Sequence, residues 1–337
     1  MKLSIIDQAP ISSGQTPREA LMNSVQLAQV AESLGYTRYW IAEHHNLPGL
    51  ACPAPEVMLG LIGGQTNSIR IGSGAVLLPH YRPYKVAELF NMLATLFPGR
   101  VDIGIGRAPG GSAEASNALS ENFLQNVWKL PERLDELLLY LYDAAPPENE
   151  HAKLSASPVP KIMPDPWLLG TSEKSAALAA EKGLAYNFGQ FMSDQEGISI
   201  VRHYVDSFQQ SITTPQPKVT VTVSAVCAKT SEQAKEIAAS SIIWSIQRDK
   251  GEGNEGIPTI QEAKDYPLTL KEKDKVDQWM DKMIVGTPEA VSEKLLQVKE
   301  TYEADEIMIH TNVYSHKDRI QSYRLIAEAL LNPNKSE

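Results

Sequence analysis

Short apolar runs alternate along this chain with longer amphipathic stretches in which apolar residues recur at helical spacing. That alternation is typical of repeated βα units, which build a parallel sheet. The predicted strands begin at Leu3, Tyr39, Ile69, Arg100, Pro166, Leu184, Lys218 and Glu306, and the predicted helices begin at about Pro17, Pro55, Tyr84, Ser172, Asp194, Ser231, Pro288 and His316. Eight such units predict an α/β fold, the TIM (β/α)8 barrel.

Two segments interrupt the alternation, one after the fourth strand and one after the seventh. Residues 108–165 contain a predicted long helix from Leu119 to Asp143, followed by a proline-rich connector. Residues 245–282 are polar and are predicted to form a mobile excursion. Inserts that follow barrel strands commonly shape a pocket at the C-terminal rim. We therefore expect one domain over residues 1–337, with both insertions beside its pocket.

Composition and charge narrow the functional classes. The 337 residues include 31 Lys and Arg against 41 Asp and Glu, a net charge of -10, which argues against broad binding to nucleic acid or anionic membranes. No apolar run approaches the ~18 to 20 residues of a spanning helix, and the N-terminal residues do not resemble a signal peptide. Cys52 and Cys227 lack a C-x-x-C partner. These features predict a cytoplasmic protein without disulfides or structural zinc.

Functional residues of such barrels lie where strands end, and the second strand ends in Glu43, His44 and His45. Successive strand side chains point to opposite faces, so both histidines cannot reach one metal ion from a regular strand. No zinc-protease spacing is present either, and no metal site is predicted. A histidine at this position suits proton transfer or substrate orientation, although a loop-fixing hydrogen bond is an alternative.

Arg107 ends the fourth strand in the sequence DIGIGRAPGG. This is not a dinucleotide fingerprint, because Pro109 stands where G-x-G-x-x-G requires glycine. An arginine beside small residues is suited to binding phosphate or carboxylate, with a structural salt bridge as the alternative. Thr171, Ser172 and Ser175 follow the fifth strand at a helix start, where backbone N–H groups attract anions. An ordinary helix cap is the alternative there.

Several long motifs, in the same order, resemble the bacterial luciferase-like flavin-dependent monooxygenases over nearly the whole chain. They include IIDQAP, YWIAEHHNLPG, IRIGSGAVLLPHYRPYKVAE, LFPGRVDIGIGRAPG and VGTPEAVSEKL. The resemblance, to the single-gene luciferase family oxidoreductase branch, implies a TIM barrel that binds reduced FMN non-covalently. It implies a phosphate site of Arg107, Thr171, Ser172 and Ser175, a non-proline cis peptide between Gly74 and Ala75 under the flavin ring, and His44 as the catalytic histidine.

The implied activity is a two-component monooxygenase, in which a separate NAD(P)H flavin reductase supplies reduced FMN and O2 is used to oxygenate a small organic substrate. A homodimer is the family-level expectation. Two departures argue against light emission: Gly106 stands where luciferase alpha subunits have a reactive cysteine, and residues 245–282 do not match their mobile loop. Two alternatives stay open, an F420-dependent hydride-transfer enzyme and a non-catalytic flavin-binding protein.

Overall fold

The computed structural model describes residues 1–142, 154–195, 197–211 and 214–331. The strands in these ranges are β1 (Leu3–Asp7), β2 (Arg38–Ile41), β3 (Arg70–Ser73), β4 (Val76–Leu77), β5 (Val101–Gly106), β6 (Asp165–Gly170), β7 (Ala185–Gly189), β8 (Val219–Cys227), β9 (Ile284–Gly286) and β10 (Glu306–His310). The helices are α1 (Pro17–Leu34), α2 (Pro55–Gly64), α3 (Pro83–Leu96), α4 (Ala113–Leu119), α5 (Phe123–Trp128), α6 (Leu130–Leu141), α7 (Glu173–Glu181), α8 (Gly197–Asp206), α9 (Ser231–Asp249), α10 (Ile260–Asp265), α11 (Leu270–Lys282), α12 (Pro288–Thr301) and α13 (His316–Leu330).

The strands form a closed parallel barrel. Neighbours run in the order β10, β1, β2, β3, β5, β6, β7 and β8, and β10 also pairs with β8, which closes the ring. At the closure, Ile307 is in register with Leu3 on one side and with Val221 on the other. β4 continues the third barrel strand beside β5, and β9 pairs with the end of β8. The predicted TIM barrel, with insertions after its fourth and seventh strands, is confirmed.

Charged side chains fill the end of the barrel where the strands begin. The buried Arg38 guanidinium lies 2.7 Å from Asp102 and 2.7 Å from Glu306, and it stacks 4.6 Å from the ring of Trp167. Arg70 adds a second ion pair to Asp102. Every charged side chain in this cluster is paired with an opposite charge, so none of them is available to bind a ligand. The cluster fills this end of the barrel. The opposite end, where the strands finish, remains open.

One local prediction is wrong. The long helix predicted from Leu119 to Asp143 is divided into the end of α4, then α5 and α6, and its last residue lies outside the described ranges. The third barrel strand consists of β3 and β4, which Gly74 and Ala75 separate. Residues 245–282 contain the end of α9, α10 and α11, and the mobility predicted for this insertion stays a prediction.

The described helices include none that is both long and apolar enough to cross a membrane.

Candidate active site

A cavity of about 1110 Å³, counted with its opening to solvent, occupies the end of the barrel where the strands finish. Its wall is assembled from residues that follow successive strands, which is the location expected for a barrel active site. Five of the predicted site residues line it: His44, Gly74, Ala75, Arg107 and Thr171. The barrel therefore brings together residues that are far apart in the sequence.

The floor of the cavity is built from residues with almost no side chain. The peptide bond between Gly74 and Ala75 is cis, as the resemblance implied. A Cβ on Gly74 would lie 2.8 Å from Ile6 Cδ1, and one on Gly106 would lie 2.9 Å from Ala75 Cβ. Since larger residues at these positions would collide with their neighbours, the floor stays low and flat.

Arg107 stands at one side of the cavity, directly after β5. Its Nη2 donates a hydrogen bond to Ser172 Oγ at 3.2 Å, and the side chain is exposed. Across the described ranges, no carboxylate forms an ion pair with Arg107. The guanidinium is therefore free to bind an anion, and the structural salt bridge considered for it is absent from those residues.

The turn that begins α7 lies beside this arginine. Thr171 lines the cavity, and Ser172 is the N-cap residue of α7. Ser175 is buried, its Oγ donates to the Ser172 carbonyl at 2.7 Å, and it lies 3.0 Å from the Tyr186 hydroxyl. The three predicted residues are thus close together, but Ser175 faces the helix and the barrel wall rather than the cavity.

His44 lines the cavity and has one buried ring nitrogen without a hydrogen-bond partner among the described residues. Its backbone N–H donates to the Cys52 carbonyl at 2.9 Å, while the buried Nδ1 has no hydrogen-bond partner among the described residues. Burial, followed by the positive charge of Arg248 and the neighbouring His45, lowers the pKa of His44 to about 4. The imidazole is therefore neutral at pH 7, and a neutral imidazole with a free nitrogen is able to accept a proton or orient a bound group.

His45 has a different role from His44. Its Nε2 lies 2.7 Å from Glu43 Oε1, a carboxylate that also accepts a hydrogen bond from the Tyr81 hydroxyl at 2.7 Å. His45 is buried and does not line the cavity, whereas His44 does. Both histidines lie beyond β2, which ends at Ile41, so the strand alternation on which the prediction relied does not apply to them. Within the described ranges, no group of three or more His, Cys, Asp or Glu residues is arranged to hold a metal ion.

A second cavity, which was not predicted from the sequence, adjoins the first. It measures about 1210 Å³ with its opening, and it shares Gln8, Phe191 and Met192 with the first cavity. Arg248, from the C-terminal end of α9, also lines it. The signal for Gln8 was its position directly after the first strand, but Arg248 lies within a polar insertion, where nothing in the sequence distinguishes it.

Asn187 is a further missed residue of the first cavity. It lies on β7, and its Oδ1 accepts a hydrogen bond from Thr222 Oγ1 at 2.8 Å. Its signal in the sequence was a polar residue within the apolar run LAYNF. Because its amide is held by the neighbouring strand, Asn187 offers a fixed polar group to whatever occupies the cavity.

Comparison with known proteins gives a consistent result. A family model described as luciferase-like monooxygenase matches residues 1–304. The chain is 41% identical to the protein YceB of Bacillus subtilis (strain 168), over 98% of this chain and 99% of that protein. It is 34% identical to the N-acetyl-S-alkylcysteine monooxygenase of the same organism, over 98% of this chain and 98% of that protein.

Solved structures share the fold of this chain. The crystal structure of apo-MsnO8 superposes with a TM-score of 0.88 at 34% identity, covering 98% of each chain. The oxygenating constituent of 3,6-diketocamphane monooxygenase from Pseudomonas putida, solved in complex with FMN, has a TM-score of 0.72 at 21% identity, covering 99% of this chain and 98% of that one. At 21% identity, the similarity to the diketocamphane enzyme concerns the fold alone.

Proposed function

The chain belongs to the luciferase-like monooxygenase family, whose enzymes incorporate molecular oxygen, and from this premise we propose that it is the oxygenase of a two-component, FMN-dependent system. Reduced FMN arrives from a separate NAD(P)H flavin reductase, and O2 is used to oxygenate a small organic substrate. The observation that carries the proposal is that Arg107, which forms no ion pair among the described residues, and the neutral His44 line one cavity with a floor of small residues.

The residues present fit FMN. Gly74, Ala75 and Gly106 have almost no side chain, so the cavity floor leaves room for a flat ring system. Larger side chains would not fit there, because a Cβ on Gly74 or Gly106 would already collide with Ile6 or Ala75. Arg107 supplies a cation for the phosphate, and Thr171 and Ser172 add hydroxyls at the positive end of α7. Ser175 supports this turn through its hydrogen bond to the Ser172 carbonyl. The FMN-bound neighbour of the same fold supports the choice of cofactor.

Reduced FMN supplies the electrons that activate O2 in such a site. The protein's own residues bind the cofactor, exclude water and move protons. The neutral His44, which lines the cavity, accepts a proton or orients a group of the substrate through its imidazole ring. The apolar wall, which includes Ile6, Leu77 and Leu169, keeps water away from the reacting atoms.

The partners follow from the same proposal. Residues 1–337 act as a single cytoplasmic unit that receives its reduced flavin from the reductase. A homodimer is supported by exposed apolar residues on α2 and α3, two helices that contact each other. They are Val57 and Leu61 of α2 and Met92 and Leu96 of α3, exposed by 68%, 43%, 45% and 60%. Exposed apolar surface of this kind is typical of protein interfaces.

The decisive experiment is an anaerobic titration of the purified protein with reduced FMN, beside oxidised FMN and F420. We expect preferential micromolar binding of reduced FMN, followed by oxygen uptake with a substrate when a flavin reductase is added. Preference for F420 would replace the proposal with hydride transfer. Binding of FMN without turnover over a broad substrate panel would instead indicate a flavin-binding protein, and failure to bind any of the three would remove the proposed function.

A further inference from the structure

Arg248, near the C-terminal end of α9, lines the second cavity. Its guanidinium forms no ion pair with any carboxylate in the described part of the chain, although the side chain is exposed to the cavity. Lys282 lines the same cavity but is already paired with Asp194 at 2.5 Å. Among the described residues, Lys282 is therefore ion-paired with Asp194, whereas Arg248 is not ion-paired.

The position of Arg248 is fixed before any ligand arrives. Its guanidinium lies 4.2 Å from the centre of the Trp244 ring, a cation–π contact. Trp244 is itself held, because its Nε1 donates to the Gly253 carbonyl at 3.1 Å. A Cβ on Gly253 would lie 2.6 Å from Arg248 Cγ, so the glycine lets the chain close against the arginine. A guanidinium held in this way loses little freedom when it binds an anion.

The second cavity adjoins the first. Gln8, Phe191 and Met192 line both, so the two cavities share one boundary. Arg248 is close enough to His44 for its charge to contribute to the low pKa of that histidine. A molecule anchored on Arg248 would therefore lie beside this boundary, with its other end directed toward His44.

We propose that Arg248 binds a carboxylate of the organic substrate, with that anion in the second cavity and the atom to be oxygenated in the first. This inference rests on the proposed function and adds a substrate class to it: an elongated organic acid whose oxidisable group is separated from its carboxylate by an apolar segment. A planar carboxylate matches the paired N–H donors of a guanidinium. Arg107 then binds the phosphate of the cofactor, and Arg248 binds the carboxylate of the substrate.

The test compares carboxylates with their neutral amides. The probes are phenylacetate, 4-phenylbutyrate and N-acetyl-S-benzylcysteine, each beside its primary amide, titrated by calorimetry into the full chain with and without FMN. For the unaltered protein we expect the carboxylates to bind roughly ten- to hundredfold more tightly than the amides, the range of a hydrogen-bonded charge. Arg248→Gln abolishes the difference and Arg248→Lys retains part of it, whereas the matched variant Arg202→Gln, at an exposed arginine of α8 that lines neither cavity, keeps it.

Several outcomes overturn the inference. Equal binding of acids and amides to the unaltered protein would do so, as would undetectable binding of every carboxylate, or a preference that survives in Arg248→Gln. A tenfold loss of FMN affinity in Arg248→Gln, without any carboxylate preference, would assign this arginine to the cofactor. Failure of the proposed function is a separate result, because it appears as absent binding of reduced FMN while carboxylate preference is measured independently.

Discussion

Glu43 Oε2 accepts a hydrogen bond at 3.0 Å from the backbone N–H of Leu77, which joins the end of the second barrel strand to β4, just beyond the cis peptide. The other carboxylate oxygen accepts from the Tyr81 hydroxyl and lies 2.7 Å from His45 Nε2. One buried side chain thus connects the segment that carries His44 to the segment that forms the cavity floor. Glu43 is a positioning residue for both.

Glu43→Ala removes the acceptor and leaves the Leu77 N–H and the Tyr81 hydroxyl without it. A buried donor that loses its partner costs ~1 to 3 kcal/mol, so we expect the free energy of unfolding to fall by about that amount. Urea unfolding measures the change, and Glu121→Ala, at an exposed position, is the matched control. Equal stability of the Glu43 variant and the control would contradict the positioning role.

His44→Ala tests the proposed proton-transfer group. We expect affinity for reduced FMN to change little, because the phosphate and the ring are held elsewhere. Turnover falls ~100-fold or more, the scale of a general acid or base. Stopped-flow measurement of single turnovers separates these two effects, with the exposed His203→Ala as the control. If single turnovers proceed in His44→Ala at the unaltered rate, another group moves the proton.

Arg107→Gln tests the phosphate site. Loss of a charged hydrogen-bond donor weakens binding by ~1.5 to 3 kcal/mol, so we expect the dissociation constant for FMN to rise by roughly ten- to hundredfold. Riboflavin, which lacks the phosphate, should bind the variant and the unaltered protein equally. The control is Arg202→Gln, an exposed arginine on α8. An unchanged FMN affinity would disprove the phosphate role.

Leu61→Glu places a charge in the exposed apolar surface of α2 and α3. Burying an unpaired carboxylate in an interface is costly, so we expect a homodimer to dissociate in this variant at micromolar concentration. Light scattering after size exclusion measures the mass. Leu270→Glu, an exposed leucine on α11, controls for the added charge. A dimer that persists in Leu61→Glu would place the interface on another surface.

The barrel and its strand-end residues were predictable because both follow from periodicity. Apolar runs of strand length mark the parallel sheet, and a parallel barrel necessarily gathers the residues after each strand at one rim. This is why His44 and Arg107, which are 63 positions apart in the sequence, line one cavity. The orientation of Ser175 was not predictable, since a serine in a helix's first turn either faces a ligand or caps the helix.

The sequence contains local signals for where these inserted helices begin, which residue composition alone does not show. The predicted long helix contains Pro131, which lacks an N–H donor, and α6 begins anew around it. Tertiary contacts contribute as well, because Asn126 Nδ2 donates to the Pro79 carbonyl. In the polar second insertion, α10 and α11 each begin at a capping box, Thr259 with Glu262 and Thr269 with Glu272. Those spacings indicated helices where polarity alone suggested a loop.

Two half-buried histidines, His44 and His310, predict a loss of stability in mild acid. Burial is the first cause that lowers the pKa of His44 to about 4 and that of His310 to about 3, and the positive charge of Arg319 adds to the effect at His310. In the unfolded chain the pKa of both histidines is ~6.5. As the pH falls below that value, the unfolded state binds protons that the native state does not, so the free energy of unfolding decreases until the native pKa values are reached.

We expect urea midpoints to fall between pH 7 and pH 5. His310→Asn, which removes one such group, should show a shallower dependence on pH than the unaltered protein or the exposed control His203→Asn. Parallel midpoint curves for all three proteins would show that protonation of His310 is not coupled to unfolding.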